Sequence, residues 1–120
     1  MKIAVTAQGS GLASELDPRF GRARYFVVVD MVTGEVTTTD NSQNLNAAQG
    51  AGIQAARNVS EIGVEAVVTG HVGPKAFRAL TAAGIKIYTG AQGTVADALA
   101  DYRAGRLAIA GAADVEGHWS

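Results

Sequence analysis

A glycine-rich stretch with one histidine and one lysine is the part of this chain best suited to hold a ligand. Residues 67–75 read Val-Val-Thr-Gly-His-Val-Gly-Pro-Lys, which predicts the end of a buried strand, a tight loop and the first turn of a helix. Pro74 suits the first helical position because its missing N–H costs nothing there. Lys75 stands where the helix dipole already favours an anion. The pattern predicts an anion site, in which His71 is a metal or cluster ligand, a hydrogen-bond donor or an exposed loop residue.

Arginines cluster between the first two predicted strands. Arg19 and Arg22 lie in the connecting loop, and Arg24 begins the second strand. Arginine is always charged and offers several donors, so Arg19 and Arg22 are candidates for closing over an anionic ligand. The alternative, in which these two arginines pair with Glu15 or Asp17, is equally open.

Recognisable catalytic motifs are few. Gly9-Ser10-Gly11 begins like a dinucleotide fingerprint, but the third glycine is missing and Asp17-Pro18 interrupts the helix that should follow. The first strand carries no carboxylate to hold catalytic metal ions, which argues against a nuclease. An enzyme acting on an anionic metabolite would need a poised acid–base pair, and the sequence shows no compelling one. We therefore expect a protein that is not an enzyme.

Composition excludes several other classes. The 120 residues suggest one domain. The chain has no cysteine, which excludes disulfides, cysteine-bound zinc and thiolate-ligated iron–sulfur clusters. A net charge of −1 gives no general attraction to nucleic acid or to a membrane surface. Because no apolar run approaches the roughly 20 residues of a membrane span and the start does not resemble a signal peptide, we expect a cytoplasmic protein.

Strand and helix signals alternate after an initial hairpin. The predicted strands cover residues 2–7, 24–30, 35–39, 65–69 and 85–89, and the predicted helices cover residues 47–62, 74–83 and 94–104. Alternation implies parallel strands with right-handed crossovers, while the short turn at Thr33-Gly34 makes strand 2 antiparallel. The predicted fold class is α/β, a three-layer α/β/α domain over residues 1–107. Its mixed sheet has five strands in the order 3-2-1-4-5, and residues 108–120 form a tail.

Two glycines weaken the start of the predicted helix over residues 47–62. Gly50 and Gly52 each cost about 1 kcal/mol relative to alanine in a helix. We expect close packing, or a ligand near the backbone, to compensate. Asn46 is the expected N-cap, with Gln49 three residues further on.

The predicted strand order brings four loops together. Ligands of open α/β sheets bind beyond the carboxyl ends of the strands, at the point where successive connections diverge. The loops that meet there cover residues 8–12, 40–48, 70–74 and 90–94, and all are rich in glycine or asparagine. The candidate binding residues are Gly9, Ser10, Gly11, Arg19, Arg22, Asn44, Gly70, His71, Val72, Gly73, Lys75 and Gly93.

Several segments, in their order along the chain, resemble one known family. They are Lys2-Ile3-Ala4-Val5, Leu16-Asp17-Pro18-Arg19-Phe20-Gly21-Arg22-Ala23 with Tyr25-Phe26, Gly50-Ala51-Gly52 with Ala55-Ala56, residues 69–77 and residues 83–88. Together they resemble the dinitrogenase iron–molybdenum cofactor-binding family over about residues 1–107. The resemblance implies a ribonuclease H-like domain that carries or inserts a metal–sulfur cofactor and is not itself a catalyst.

For this chain, the resemblance implies an anionic metal–sulfur cluster that contains molybdenum, with a molybdenum–copper sulfide as one form. Without cysteine, the cluster would be held non-covalently. Hydrogen-bond donors and positive charge would come from the glycine loops, the helix N-termini, Arg19, Arg22 and Lys75. The Val72 side chain would supply an apolar wall, and His71 is the candidate metal contact. The alternative is a cofactor-free interaction or regulatory module that docks to ATPase or cofactor-assembly proteins.

Overall fold

One mixed sheet runs through the computed structural model, which describes residues 1–41 and 50–111. Its strands are β1 (Lys2–Ala7), β2 (Tyr25–Asp30), β3 (Val36–Asp40), β4 (Ala66–Val68), β5 (Lys86–Thr89) and β6 (Ala108–Ile109). The helices of the described residues are α1 (Ala51–Ile62), α2 (Pro74–Ala82) and α3 (Val95–Arg103). The strands follow the order β3-β2-β1-β4-β5-β6.

The order of the first five strands agrees with the prediction, and β2 is antiparallel to both β1 and β3. The predicted number of strands was wrong, because a sixth strand pairs antiparallel with β5 through Tyr88↔Ile109 and Thr89↔Ala108. The prediction of a ribonuclease H-like domain with a five-stranded sheet is therefore matched only in part. Since β6 has two exposed residues, it carries no alternating pattern that a sequence could reveal.

Helices cover both faces of the sheet. The first core cluster packs α1 and α2 on one face, with Phe20, Phe26 and Leu80 among its buried side chains. The second cluster packs α3 on the other face, with Ile3 and Leu99 among its members. This division is the predicted α/β/α layering, and it follows from the alternation of side chains along each strand. No helix in the described part of the chain has the length and hydropathy needed to cross a bilayer.

Helix α1 begins four residues later than predicted. Gly50 has φ 78 and ψ 7, a left-handed conformation that a right-handed helix cannot include. Gly50 therefore precedes the helix, where glycine suits the conformation and its expected helix penalty does not apply. Gly52 lies inside α1 and is buried, consistent with the close packing that we expected. The predicted cap at Asn46 falls outside the described residues.

A close contact joins the end of β4 to the loop that precedes β2. A Cβ atom added to Gly70 would lie 2.8 Å from Pro18 Cα and 2.9 Å from Pro18 O. The His71 N–H donates to the Pro18 carbonyl at 2.7 Å, and the Phe20 N–H donates to the His71 carbonyl at 3.3 Å. Gly70 thus allows two loops to pair, which is a packing role.

We expect Gly70→Ala to lower the free energy of unfolding by about 1–3 kcal/mol, because the Pro18 backbone must move to admit the methyl group. Urea unfolding measures this change. Gly111→Ala is the matched control: a Cβ there has no neighbour within 4 Å among the described residues, so we expect a change below about 0.5 kcal/mol. Equal stability of the two variants would contradict the packing role.

Candidate functional site

Three of the four predicted loops meet beyond the carboxyl ends of β1, β4 and β5. The Ala96 N–H donates to the Leu12 carbonyl at 2.9 Å, which joins the loop over residues 8–12 to the start of α3, and the Leu16 N–H donates to the Gly93 carbonyl at 2.9 Å. The Gly90 N–H donates to the Gly70 carbonyl at 3.0 Å, which joins the loops after β5 and β4. The fourth predicted loop, residues 40–48, is described only at its first two residues. The convergence of loops at this edge is therefore observed for three of the four.

An open cavity of about 440 Å³ lies at this edge of the sheet, a volume typical of small-ligand sites. Its lining side chains are mostly polar or charged and come from the end of β1 and the loop before β2. They are Gln8, Asp17, Pro18, Arg19, Arg22 and Arg24. Three guanidinium groups against one carboxylate give the cavity a positive field that attracts anions.

Asp17 is the buried member of this lining, with 7% of its side chain exposed. The Arg19 N–H donates to Asp17 Oδ1 at 3.0 Å, and Arg19 Nε lies 3.8 Å from the same oxygen. Burial raises the pKa of the Asp17 carboxyl above its usual 3.8, opposed by the hydrogen bond from the Arg19 N–H and by the Arg19 charge. The pairing of an arginine with Asp17, one of the two alternatives from the sequence, therefore occurs at Arg19.

Two buried threonines anchor the Asp17 loop to the central strands. Thr6 Oγ1 donates to the Asp17 carbonyl at 2.6 Å, and the Asp17 N–H donates to the Thr6 carbonyl at 2.9 Å. The Thr6 and Thr69 hydroxyl oxygens lie 2.9 Å apart. Since the single Thr6 hydroxyl proton goes to Asp17, Thr69 must donate in this second bond. The loop is thereby fixed to the ends of both β1 and β4.

A chain of side-chain amides holds the arginine segment from the other side. Asn41 is fully buried; its Nδ2 donates to the Ala23 carbonyl at 2.8 Å, and its backbone N–H donates to the Arg24 carbonyl at 2.8 Å. Its Oδ1 accepts from Asn58 Nδ2 at 3.0 Å, and Asn58 Oδ1 accepts from Gln54 Nε2 at 3.0 Å. Helix α1 therefore fixes the backbone that carries the cavity arginines.

The predicted glycine–histidine loop contacts the cavity wall without contributing to its lining. His71 is half-buried, and its backbone pairs with the loop at Pro18 and Phe20. The Val72 side chain is fully buried in the core beneath α2, so the apolar wall expected from it is not available to a ligand. Gly73 is the extended N-cap of α2, and Lys75 is exposed on its first turn.

The remaining predicted residues are spread around the cavity. Gly9, Ser10 and Gly11 follow β1, and the Gly11 N–H donates to a threonine hydroxyl of β3 at 3.2 Å. Gly93 has φ 83 in the loop that leads to α3. Asn44 lies outside the described residues. Of the predicted residues that the structure describes, Arg19 and Arg22 line the cavity.

Sequence reasoning missed four members of the lining: Gln8, Asp17, Pro18 and Arg24. Arg24 is the third member of the arginine cluster, and its closeness to Arg22 in the sequence could have indicated that it lines the same cavity. Asp17 was considered only as a partner for arginine, because burial of a loop carboxylate depends on contacts that a local pattern does not contain.

The arrangement suits anion binding by charge and hydrogen bonds more than metal chelation. Within residues 1–41 and 50–111, no three His, Cys, Asp or Glu side chains are grouped so that they could hold a metal ion. The cavity instead gathers guanidinium and amide groups, all of which can donate hydrogen bonds.

Comparison with known proteins agrees with the family resemblance. A family model described as dinitrogenase iron–molybdenum cofactor matches residues 1–105. The apo orange protein of Desulfovibrio gigas superposes with a TM-score of 0.92 at 43% identity, covering 95% of this chain and 96% of that one. An NMR structure from Thermotoga, described as a candidate NifB protein, superposes with a TM-score of 0.80 at 34% identity, covering 90% and 91%. The uncharacterised protein MJ0580 of Methanocaldococcus jannaschii is 31% identical over 90 residues, 73% of each chain.

We expect Asn41→Ala to lower the free energy of unfolding by about 1–3 kcal/mol, because it leaves the buried Ala23 carbonyl without its donor. Amide hydrogen exchange should accelerate across residues 19–24. Gln54→Ala removes the outer, half-buried end of the same amide chain and is the control, with a cost below about 1 kcal/mol. Equal exchange in the two variants would contradict a positioning role for Asn41.

The raised pKa of Asp17 predicts a pH dependence of stability. Because the folded state binds this proton more tightly than the unfolded state, the stabilisation is full below pH 3.8 and is lost as the pH rises through the folded pKa. An asparagine side chain does not ionise, so the Asp17→Asn variant does not lose this stabilisation as the pH rises. The stability of Asp17→Asn relative to the unmodified chain should therefore increase across that interval, as measured by urea unfolding at several pH values. A difference that decreases with pH would contradict the raised pKa.

Proposed function

Because the chain belongs to the dinitrogenase iron–molybdenum cofactor family, we propose that it is a non-catalytic carrier that holds an anionic metal–sulfur cluster non-covalently. The proposed binding unit is residues 1–107. The family description names molybdenum, and the form that we propose is a molybdenum–copper sulfide. The likeness to the orange protein over nearly the whole chain supports a role of the same kind.

The observation that carries this proposal is the arginine-lined cavity in a chain without cysteine. Thiolate ligation is unavailable, so charge, N–H donors and shape must contribute most of the binding free energy of a cluster. Guanidinium groups are weakly hydrated and present several donors in a fixed plane, which suits the sulfides at the surface of an anionic cluster. The donor set of the cavity therefore fits a cluster bound through its sulfides.

Arg19, Arg22 and Arg24 would hold the cluster, with Gln8 as a further donor at the end of β1. When bound, the cluster would supply the metal and sulfide that the carrier delivers. His71 remains the proposed metal contact, and Lys75 adds positive charge on the first turn of α2. We propose that backbone groups of the surrounding loops complete the binding site. They belong to Gly9, Ser10, Gly11, Gly70, Gly73 and Gly93.

A carrier also needs proteins that load and unload it. We propose that cofactor-assembly proteins are these partners. The likeness to the Thermotoga protein described as a NifB candidate supports this class of partner.

Reconstitution with tetrathiomolybdate and a copper(I) salt should give a coloured complex with a fixed metal-to-protein ratio, measured by visible absorption and metal analysis after gel filtration. The double variant Arg19→Gln with Arg22→Gln should bind at least about tenfold more weakly, because each change removes a charged donor. The charge-matched control is the double variant Arg78→Gln with Arg103→Gln, at two exposed positions on α2 and α3, which should bind like the unmodified chain.

Two outcomes would refute the proposal. One is the absence of any coloured complex with the unmodified chain. The other is equal weakening by the double variant and by two arginine changes placed away from the cavity, at Arg78 and Arg103, since net charge alone would then explain binding.

A further inference from the structure

Asp17 places a carboxylate in the wall of a cavity that otherwise attracts anions. Its side chain is 7% exposed, so it cannot be treated as a solvated surface charge. It also cannot turn away, because its backbone is held by Thr6 and its Oδ1 accepts from the Arg19 N–H at 3.0 Å. An anion in the cavity must therefore lie close to a fixed, buried carboxyl group.

We propose that Asp17 takes up a proton when a multiply charged anion fills the arginine cavity, which makes Asp17 the residue that sets the pH dependence of binding. This inference rests on the proposed anion-carrier function. Protonation removes the repulsion between the carboxylate and the anion. It also converts one carboxyl oxygen into an O–H donor, which can face the anion while the other oxygen still accepts from the backbone.

Among the charged and polar groups at the cavity, Asp17 is the one best placed to take up the proton. From its own loop, Arg19 lies at 3.8 Å, Arg22 and Arg24 line the same cavity, and the Arg24 N–H also donates to the carboxyl. From β1, Gln8 lines the cavity and does not titrate. From the loop after β4, His71 is the nearby titratable side chain, joined to the Asp17 loop by backbone hydrogen bonds.

Burial prepares this carboxyl for protonation, because it already raises the pKa of Asp17 in the free protein. An adjacent anion raises the pKa further, since a like charge disfavours the ionised form. Between the two values, free and bound, affinity should fall by up to about tenfold for each unit that the pH rises. Outside that interval, Asp17 should not contribute to any change of affinity with pH.

The experiment is isothermal titration calorimetry of the full chain with tetrathiotungstate, a tetrahedral thiometallate dianion, from pH 5 to 8. Each pH is measured in two buffers of different ionisation enthalpy, so that the protons taken up are counted directly. We expect uptake of up to one proton per bound anion. Asp17→Asn should bind more tightly than the unmodified chain at the high-pH end and should lose the proton uptake. Glu61→Gln, which removes an exposed carboxylate of α1 outside the cavity lining, should retain it.

The possible results separate the two proposals. If no variant binds tetrathiotungstate and no cluster can be reconstituted, the carrier function fails. If the anion binds without proton uptake, if Asp17→Asn keeps the uptake, or if Glu61→Gln abolishes it, the role of Asp17 is overturned. Should Asp17→Asn not fold, the carboxyl ¹³C shift of Asp17 in the unmodified chain decides: anion binding must move it towards the protonated form.

Discussion

The hydrogen bond from the His71 N–H to the Pro18 carbonyl, at 2.7 Å, is the contact on which the arrangement of this edge depends. It requires the backbones of two loops to approach closely, and Gly70 permits this because a side chain there would meet Pro18. The contact ties the loop that carries Asp17 and Arg19 to the end of a central strand. The cavity wall is therefore anchored to the sheet, although its arginines lie on a loop.

The same loop is held by buried polar groups on both sides. Thr6 and Thr69 fix its start, and Asn41 fixes its end through two carbonyls. Each of these groups is satisfied, so burial carries no penalty for missing hydrogen bonds. A polar network of this kind specifies one backbone path, which is what guanidinium groups on long side chains need in order to converge on one ligand.

The parts of the fold that were predictable are those with a strong local signal. The buried strands and the layering follow from apolar runs and strand–helix alternation. Gly50 was misread because helix propensity describes a glycine inside a helix, whereas this glycine lies before one in a left-handed conformation. Strand β6 and the burial of Asp17 depend on long-range contacts, and a local pattern contains no information about them.

The structure brings predicted loops to one edge of the sheet, but few of the predicted residues line the cavity there, and the reason lies in the glycine loop. In a sequence, glycines beside a helix N-terminus give the same pattern whether the missing side chain leaves room for a ligand or for another loop. Gly70 admits Pro18, and Val72 is directed into the core, so this loop supports the cavity without lining it. The charge that can hold an anion sits instead on arginines whose backbone is fixed and whose head groups reach solvent. Attraction from exposed charges is screened by salt, so an anion held by these arginines is bound less tightly as the ionic strength rises.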